Sequence, residues 1–391
     1  MSDISTIYLD YAATTPIDPR VIDKMSPFLS DPHYCGNSAS THAWGQRARQ
    51  AVSDARAAVA ALIDAVPEEI IWTSGATESN NLALKGVMAL YQARGKHIVT
   101  MKTEHSCVLE TCQQLEKKGF SVTYLSPKRD GLLDTDIFSD ALREDTVLVS
   151  IMHMNNETGV IQDIKTLSEI TAARGILFHS DVAQSAGKIP ISVKDMPVDL
   201  LSLSAHKFYG PKGIGALYLR QKPRVRVAPL FHGGGQEQGM RSGTLPVHQI
   251  VGMGAACAIA HLEMSRDLTH IDSISHRFLE NFEKHTSIMI NGDRLHAYPG
   301  IVNIGFPGVD ARRFVEAHSS IAMSVGSACY AKGAEASYVL RAMGLTERDA
   351  AASIRFSFGR FTTEQEVDEA ARVITPDFSL FCHPREDGDP C

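Results

Sequence analysis

A chain of 391 residues is too long for one ordinary hydrophobic core and predicts two to three domains of about 150 residues each. With 44% hydrophobic and 21% charged residues it has the balance of a water-soluble globular protein, and its net charge of −7 gives no electrostatic case for direct nucleic-acid binding. Its longest apolar run, residues 250–260, is about half a membrane span, so no membrane partner is expected either.

The N-terminus, MSDISTIYLDYAATTP, lacks a basic segment followed by an apolar core, which predicts no secretory signal and a cytoplasmic protein. Seven cysteines, at 35, 107, 112, 257, 329, 382 and 391, are odd in number and form no CxxC, the pattern of thiols kept reduced.

Residues 1–41 read as an extended segment and loop around the run Ile7-Tyr8-Leu9. From Trp44 the apolar positions 44, 48, 51, 52, 55, 59, 62 and 63 fall on one helical stripe. Strands and helices then alternate to about residue 220: strand 70–72, helix 78–93, strand 96–101, helix 107–118, strand 120–125, helix 136–143, strand 146–152, helix 164–174, strand 176–179. This order predicts an α/β fold, a mainly parallel sheet wrapped by helices. Residues 247–285 are a long helical stretch suited to bridging domains. Shorter elements follow: strands 288–290, 301–305, 321–325 and 354–358, and helices 311–317, 338–343 and 364–373. They predict a smaller α+β domain. The closing FSLFCHPREDGDPC is expected to be disordered at its end.

Chemistry gathers where the predicted strands stop. ILFHSDVAQS (176–185) turns from apolar to polar at Asp181, and VDLLSLSAHKFYGPKGIGALYLR (198–220) turns at Ser204, His206 and Lys207. Open α/β sheets bind ligands beyond the carboxyl ends of their strands, so this carboxylate and amine should meet over one ligand. An Asp for a pyridinium nitrogen and a Lys for the carbonyl carbon is the pair that pyridoxal 5′-phosphate (PLP) needs, whereas a lone Lys after a strand is more often merely exposed.

Other strand ends add to this. Thr73-Ser74-Gly75-Ala76-Thr77-Glu78 offers a helix N-terminus and a hydroxyl to a phosphate, though an ordinary helix start looks the same. Thr103-Glu104-His105-Ser106 puts an imidazole at a strand end, to stack on a ring and move protons or to cap the next helix. His153-Met154-Asn155-Asn156-Glu157-Thr158-Gly159 supplies Asn for a ligand oxygen, or a turn. His232-Gly233-Gly234-Gly235 with Arg241-Ser242-Gly243-Thr244 is a second phosphate contact or a loop between subunits. GPKGIG precedes a strand, which excludes a dinucleotide fingerprint. Cys329, among small residues in Gly326-Ser327-Ala328-Cys329, reads as an exposed loop thiol, while Cys112 and Cys257 read as buried small hydrophobes. Arg355 offers a bidentate clamp for a carboxylate, or is a plain strand-end charge.

Together YLDYAATTP, TSGATESNNLA, TEHSCVL, HMNNETGV, SDVAQS, SLSAHKFYGPKGIGALY, RSGTLPVHQIVG and SIRFSFGRFT resemble the cysteine desulfurases, a class V branch of the fold-type I PLP enzymes, from Ile7 to about Phe361. The resemblance is close to the group that supplies sulfur for iron–sulfur clusters and for tRNA and DNA sulfur modification. It implies a homodimer whose subunits have a large PLP-binding domain at 17–262 and a small domain from 1–16 plus 263–391 that carries a catalytic cysteine loop. It implies that Lys207 carries the cofactor and moves the Cα proton, Asp181 pairs with the pyridine nitrogen, Gln184 bonds the ring's phenolic oxygen and His105 stacks on the ring. Ala76, Thr77, Ser204 and His206 would hold the phosphate, with Thr244 reaching it from the other subunit. Asn156, Arg355 and Asn37 would hold the substrate carboxylate. Cys329 would take sulfur from L-cysteine as a persulfide, release L-alanine and pass the sulfur to an acceptor protein of unknown identity. No metal site is implied, and Cys382, His383 and Cys391 are poorly spaced for one.

Two features depart from the housekeeping pattern. The catalytic loop carries the aromatic Tyr330 where the family usually has Ser or Thr. After Val373 the chain reads ITPDFSLFCHPREDGDPC, where housekeeping enzymes continue with a long helix and tail that help dock the iron–sulfur scaffold. These departures point to a specialised pathway such as DNA phosphorothioation. A housekeeping iron–sulfur or tRNA-thiolation desulfurase, a selenocysteine lyase, another class V aminotransferase and a sulfur carrier without PLP remain the alternatives.

Overall fold

The computed structural model describes residues 6–283, 288–326 and 336–381. Strand β1 (Ile7–Tyr8) leads through α1 (Pro19–Met25), α2 (Pro27–Ser30) and α3 (Ala43–Leu62) to β2 (Ile70–Thr73). The alternating part follows: α4 (Ala76–Tyr91), β3 (His97–Met101), α5 (Ser106–Glu116), β4 (Ser121–Leu125), α6 (Thr135–Asp140), β5 (Thr146–Ser150), α7 (Ile164–Ala173), β6 (Leu177–Asp181), β7 (Leu200–Ser204) and β8 (Gly215–Leu219). Next come α8 (Val247–Glu283), β9 (Met289–Ile290), β10 (Ile301–Gly305), α9 (Ala311–Ala317), β11 (Ile321–Ala322), α10 (Tyr338–Ala342), α11 (Glu347–Ala351), β12 (Ser353–Ser357) and α12 (Glu364–Ile374).

The main sheet has the order β2-β8-β7-β6-β5-β3-β4. It is parallel except for β8, which runs antiparallel to both β2 and β7. Helices cover both faces, which is why these strands read as continuous apolar runs rather than alternating ones. One face packs Trp72, Val99, Val149, Phe178 and Leu203 against α3 and the first half of α8. The other packs Ile71, Ile98, Leu148 and Leu200 against α4 and α5. Where α3 crosses α8, a Cβ on Gly254 would lie 2.6 Å from the Ala55 Cα, so the close crossing needs a glycine there.

A second core surrounds the antiparallel sheet β12-β10-β9. The far half of α8 supplies Ile271, Ile274, Phe278 and Phe282, and α12 supplies Val367, Ala370 and Ile374. Phe278 stacks edge-on against Phe282 and Phe358. Ile7, Leu9 and Ala12 of the N-terminal segment join this core, and β1 pairs with β11. Helix α8 thus bridges two cores, as its uninterrupted periodicity predicts.

The differences from the sequence reading are local. Strand β6 runs on to Asp181, and of the expected strand 321–325 only Ile321–Ala322 forms a strand, with Ser324 making an isolated antiparallel bridge to Arg355. Residues 19–30, read as loop, form α1 and α2. Each starts on a proline, and the Asp18 side chain caps α1 by accepting from the Arg20 N–H. Helices this short carry no visible periodicity; their signal is the proline at the first position, after Asp18 in α1 and Ser26 in α2. Among the described residues no helix is long and apolar enough to cross a membrane.

Candidate active site

Strands β2, β3, β5, β6 and β7 end at the same edge of the sheet, and a pocket of about 390 Å³ lies there. It is lined by Ala76, Thr77, His105, Asn156, Asp181, Gln184, Ser204, His206, Lys207 and Arg355. So residues picked from separate strand ends share one cavity. Asn37 and Thr244 stand exposed and do not line it, and Cys329 lies outside the described residues. Tyr330, Cys382, His383 and Cys391 lie outside them too.

Asp181 closes β6 with its carboxylate already fixed. Oδ1 accepts from the Ala183 N–H at 2.9 Å, and Oδ2 accepts from Asn80 Nδ2 at 2.7 Å. Asn80 lies one turn beyond Thr77 on α4, so the spacing within TSGATESNNLA put both on one helix face. Burial and the neighbouring Asp181 hold the Glu104 carboxyl well above the usual carboxylate range.

Lys207 leaves β7 on a single 3₁₀ turn, Ala205–Lys207, and its Nζ donates to the carbonyls of Ala12 at 2.7 Å and Ala13 at 2.9 Å. The N-terminal segment is laced onto this turn. The Thr15 N–H donates to His206 O, and the Tyr209 N–H donates to Thr15 Oγ1 at 2.7 Å. Tyr209 takes a left-handed φ of 68°, a strain of the kind that surrounding contacts must enforce. Gln184 Nε2 donates to the same Ala12 carbonyl at 2.8 Å.

His105 is both the helix cap and the pocket residue that the sequence offered as alternatives. Its Nδ1 accepts the Cys107 N–H at 3.2 Å, which starts α5, and faces Cys107 Sγ at 3.0 Å. A nitrogen accepting a backbone N–H carries no proton, so the neutral ring has its proton on Nε2. Asn80 Nδ2 also donates to Cys107 Sγ at 3.1 Å, which links Asp181, Asn80, Cys107 and His105 in one chain.

Between β2 and α4, Gly75 has φ 151° and ψ 179°, a region open essentially to glycine alone. A Cβ there would lie 3.6 Å from Ser204 Oγ, and one on Gly215 would meet the Gly75 Cα at 2.6 Å. The two glycines bring the α4 N-terminus beside Ser204, His206 and Thr77, a cradle able to hold an anion. Burial first, then Lys207 and Lys212, push His206 down to about 4, so it acts as a neutral hydrogen-bonding ring.

Arg355 departs from the plain strand-end charge. It is 1% exposed, its Nη2 donates to Asp10 Oδ1 at 2.7 Å and its Nη1 to Asn156 O at 2.8 Å. Its Nε and the Asn156 Oδ1 are buried without a hydrogen-bond partner. An unmet donor and an unmet acceptor lining one cavity suit a ligand carrying both a carboxylate and an amine.

The loop 232–244 is tied down at Glu237, whose carboxylate accepts from Arg56 at 2.7 and 2.8 Å and from the Trp72 N–H at 2.8 Å. Arg241 pairs with Glu78 at 2.8 Å. Sequence reasoning missed Asp10, Asn80, Cys107 and Glu237. The first three lie inside the recognised motifs, but their role is to hold the picked residues, and spacing along a chain does not reveal such contacts.

A model of the class-V aminotransferase family matches residues 7–370. Cysteine desulfurase IscS of Vesicomyosocius okutanii is 55% identical over 368 residues, which is 94% of this chain and 91% of that protein. Among solved structures, a NifS-like protein superposes with a TM-score of 0.89 at 36% identity, over 96% of this chain and 100% of that one. SspA in complex with cysteine superposes with a TM-score of 0.81 at 38% identity, over 92% and 100% of the two chains.

Proposed function

From the premise that this chain belongs to the class-V aminotransferase family and is similar to cysteine desulfurases along 94% of its length, we infer that it is a PLP-dependent cysteine desulfurase. It acts on L-cysteine, releases L-alanine and retains the sulfur. The observation that carries this reading is the meeting of the Lys207 amine, the Asp181 carboxylate and the buried Arg355 in one pocket. The pocket fits PLP on its own chemistry: a glycine-only cradle at Gly75 that a Cβ would enter, a fixed carboxylate at Asp181 and an amine at Lys207.

We assign the roles as follows. Thr77, Ser204, His206 and the N–H groups at Ala76 hold the phosphate. Asp181 would hold the ring nitrogen, Gln184 the ring oxygen, and His105, with its proton on Nε2, would lie against the ring. Lys207 anchors the cofactor. When bound, PLP supplies an electron sink for charge left at the substrate Cα. Arg355 and Asn156 would orient the carboxylate, and Asn37, which is exposed and outside this pocket, is given no contact with it. The Lys207 amine would be the base that takes the substrate Cα proton. The Cys329 thiolate attacks the substrate sulfur, so that an S–S bond forms as the C–S bond breaks. A proton replaces sulfur on the carbon, alanine leaves, and the protein keeps a persulfide. The test is Cys329→Ala. It should form no alanine from L-cysteine while keeping the visible absorbance of bound cofactor; alanine formed at the parent rate would favour a lyase reading in which this thiol takes no part.

The finer reading is also ours. The large unit is 17–262 and the small unit is 1–16 plus 263–391, supported by the two cores that α8 joins. The enzyme is a homodimer in which Thr244 serves the partner's site, supported by the anchored loop that holds Thr244 exposed and out of its own pocket. A cytoplasmic location rests on Cys112 and Cys257, free thiols buried in the cores as suits a reducing compartment. The sulfur acceptor is a protein of a specialised pathway such as DNA phosphorothioation, a reading supported by the divergent sequence after Val373. Similarity to IscS favours the housekeeping reading instead. Reconstitution with a housekeeping iron–sulfur scaffold decides: slow transfer supports the specialised reading, and efficient transfer overturns it.

A further inference from the structure

One polar group beside the pocket has no part in the reaction described above. Lys188 follows the end of β6, and its Nζ donates to Gln184 Oε1 at 2.7 Å. The amine lies 5.6 Å from the centroid of the Tyr298 ring, a side chain only 3% exposed. Burial first, then the charges of Lys207 and Arg355, push the amine down to about 7. A lysine whose amine is turned inward, toward two other cations, works against its own solvation, a cost that its contacts must offset.

That contact is with the oxygen of Gln184. An amide has a donor end and an acceptor end of nearly equal shape, and either can face a cavity unless a neighbour chooses. The protonated amine has donors only, so in that form Lys188 can bond the Oε1 end and cannot bond the Nε2 end. With Oε1 held, Nε2 is turned the other way, where it donates to the Ala12 carbonyl at 2.8 Å. The same carbonyl accepts from Lys207 Nζ at 2.7 Å. Lys188, Gln184 and Lys207 therefore form one hydrogen-bond network that converges on the Ala12 carbonyl.

Building on the desulfurase reading, we propose that Lys188 is a positioning residue for this reaction: it locks the Gln184 amide with its N–H donor facing the Lys207 side of the pocket, where that donor meets the cofactor's ring oxygen. Without Lys188 the Ala12 carbonyl alone holds the amide, and the bias against presenting oxygen to oxygen is weakened.

The experiment uses the PLP-loaded full-length enzyme with Lys188→Met, Lys188→Arg, Gln184→Leu and the double variant Lys188→Met/Gln184→Leu. The readouts are the pH midpoint of the visible absorption band, and kcat and KM for L-cysteine. Lys188→Met and Gln184→Leu should each move the band midpoint in the same direction and lower kcat by about tenfold, the worth of one hydrogen bond to a charged group. KM should stay within about threefold, and the double variant should be no worse than the worse single one, because both act through one contact. Lys188→Arg keeps a donor-only cation and should keep the parent midpoint. Effects that multiply in the double variant, or a parent-like midpoint in Lys188→Met, would overturn the proposal. Should Lys188→Met fail to fold, Lys188→Gln takes its place: it can bond either end of the amide, so its midpoint should move, and an unmoved midpoint overturns the proposal equally. Absence of alanine from the parent enzyme would sink the desulfurase reading and leave the band shifts still interpretable.

Discussion

Arg355 carries the substrate-recognition claim in a single side chain. In its fork one N–H of each Nη is committed, to Asn156 and to Asp10, and Nε remains unmet. Lysine cannot reproduce that fork. Arg355→Lys should therefore raise KM for L-cysteine by roughly tenfold or more, with the cofactor band unmoved; an unchanged KM in steady-state assays would remove Arg355 from the substrate site. From sequence this residue was one of two things, a clamp or a strand-end charge. Only burial separates them, and burial here depends on Asp10, which lies at the far end of the chain.

A second residue-scale test concerns His179, which sits inside β6 between Ser150 Oγ at 2.8 Å and Ser202 Oγ at 2.9 Å. Burial pushes it down to about 3, from an ordinary 6.5. The unfolded chain therefore binds a proton below pH 6.5 that the folded protein refuses. The group's contribution to stability is complete above pH 6.5 and is lost as the pH falls toward 3, at up to about 1.4 kcal/mol per pH unit. Glu104 and Asp199, pushed up by burial, act in the opposite sense. The readout is accordingly the difference between parent and His179→Gln in urea unfolding: the parent should lose more stability than the variant between pH 6.5 and 5, and parallel curves would refute the assignment.

At the scale of elements, the site depends on how closely the α4 N-terminus approaches the ends of β7 and β8. A Cβ on Gly215 would meet the Gly75 Cα at 2.6 Å, and Gly75 itself has a φ of 151° that side chains rarely adopt. Gly75→Ala should cost about 1–3 kcal/mol of stability through backbone strain and weaken PLP retention at least about tenfold, since the new methyl enters the cradle. Calorimetry and equilibrium dialysis measure the two effects, and a variant that binds PLP like the parent would argue against a phosphate at this helix start. The alternating strands and helices were legible because each is long enough to show its period, and so was α8. The segment 10–18 was not. It has no period of its own, and it is ordered by lacing onto the Lys207 turn through Thr15 and Tyr209.

At the scale of the whole molecule, the proposed dimer makes Thr244 act in trans. Lys207→Ala and Thr244→Ala subunits, mixed and reassembled, should restore about a quarter of the parent's sites, because half of the dimers are mixed and each has one complete site. Activity no higher than that of the better homodimer would place Thr244 outside the partner's site. Sequence resemblance reached this far because it spans both cores; the supporting contacts of Asp10, Asn80 and Lys188 stayed hidden because a chain's order does not say what touches what. The central claim, that this pocket takes sulfur from L-cysteine, is tested most directly by incubating the purified PLP-loaded protein with L-cysteine in the absence of acceptor. The account predicts one alanine released per persulfide formed, with that persulfide on Cys329. Alanine without a protein persulfide, or a persulfide on another cysteine, would contradict it.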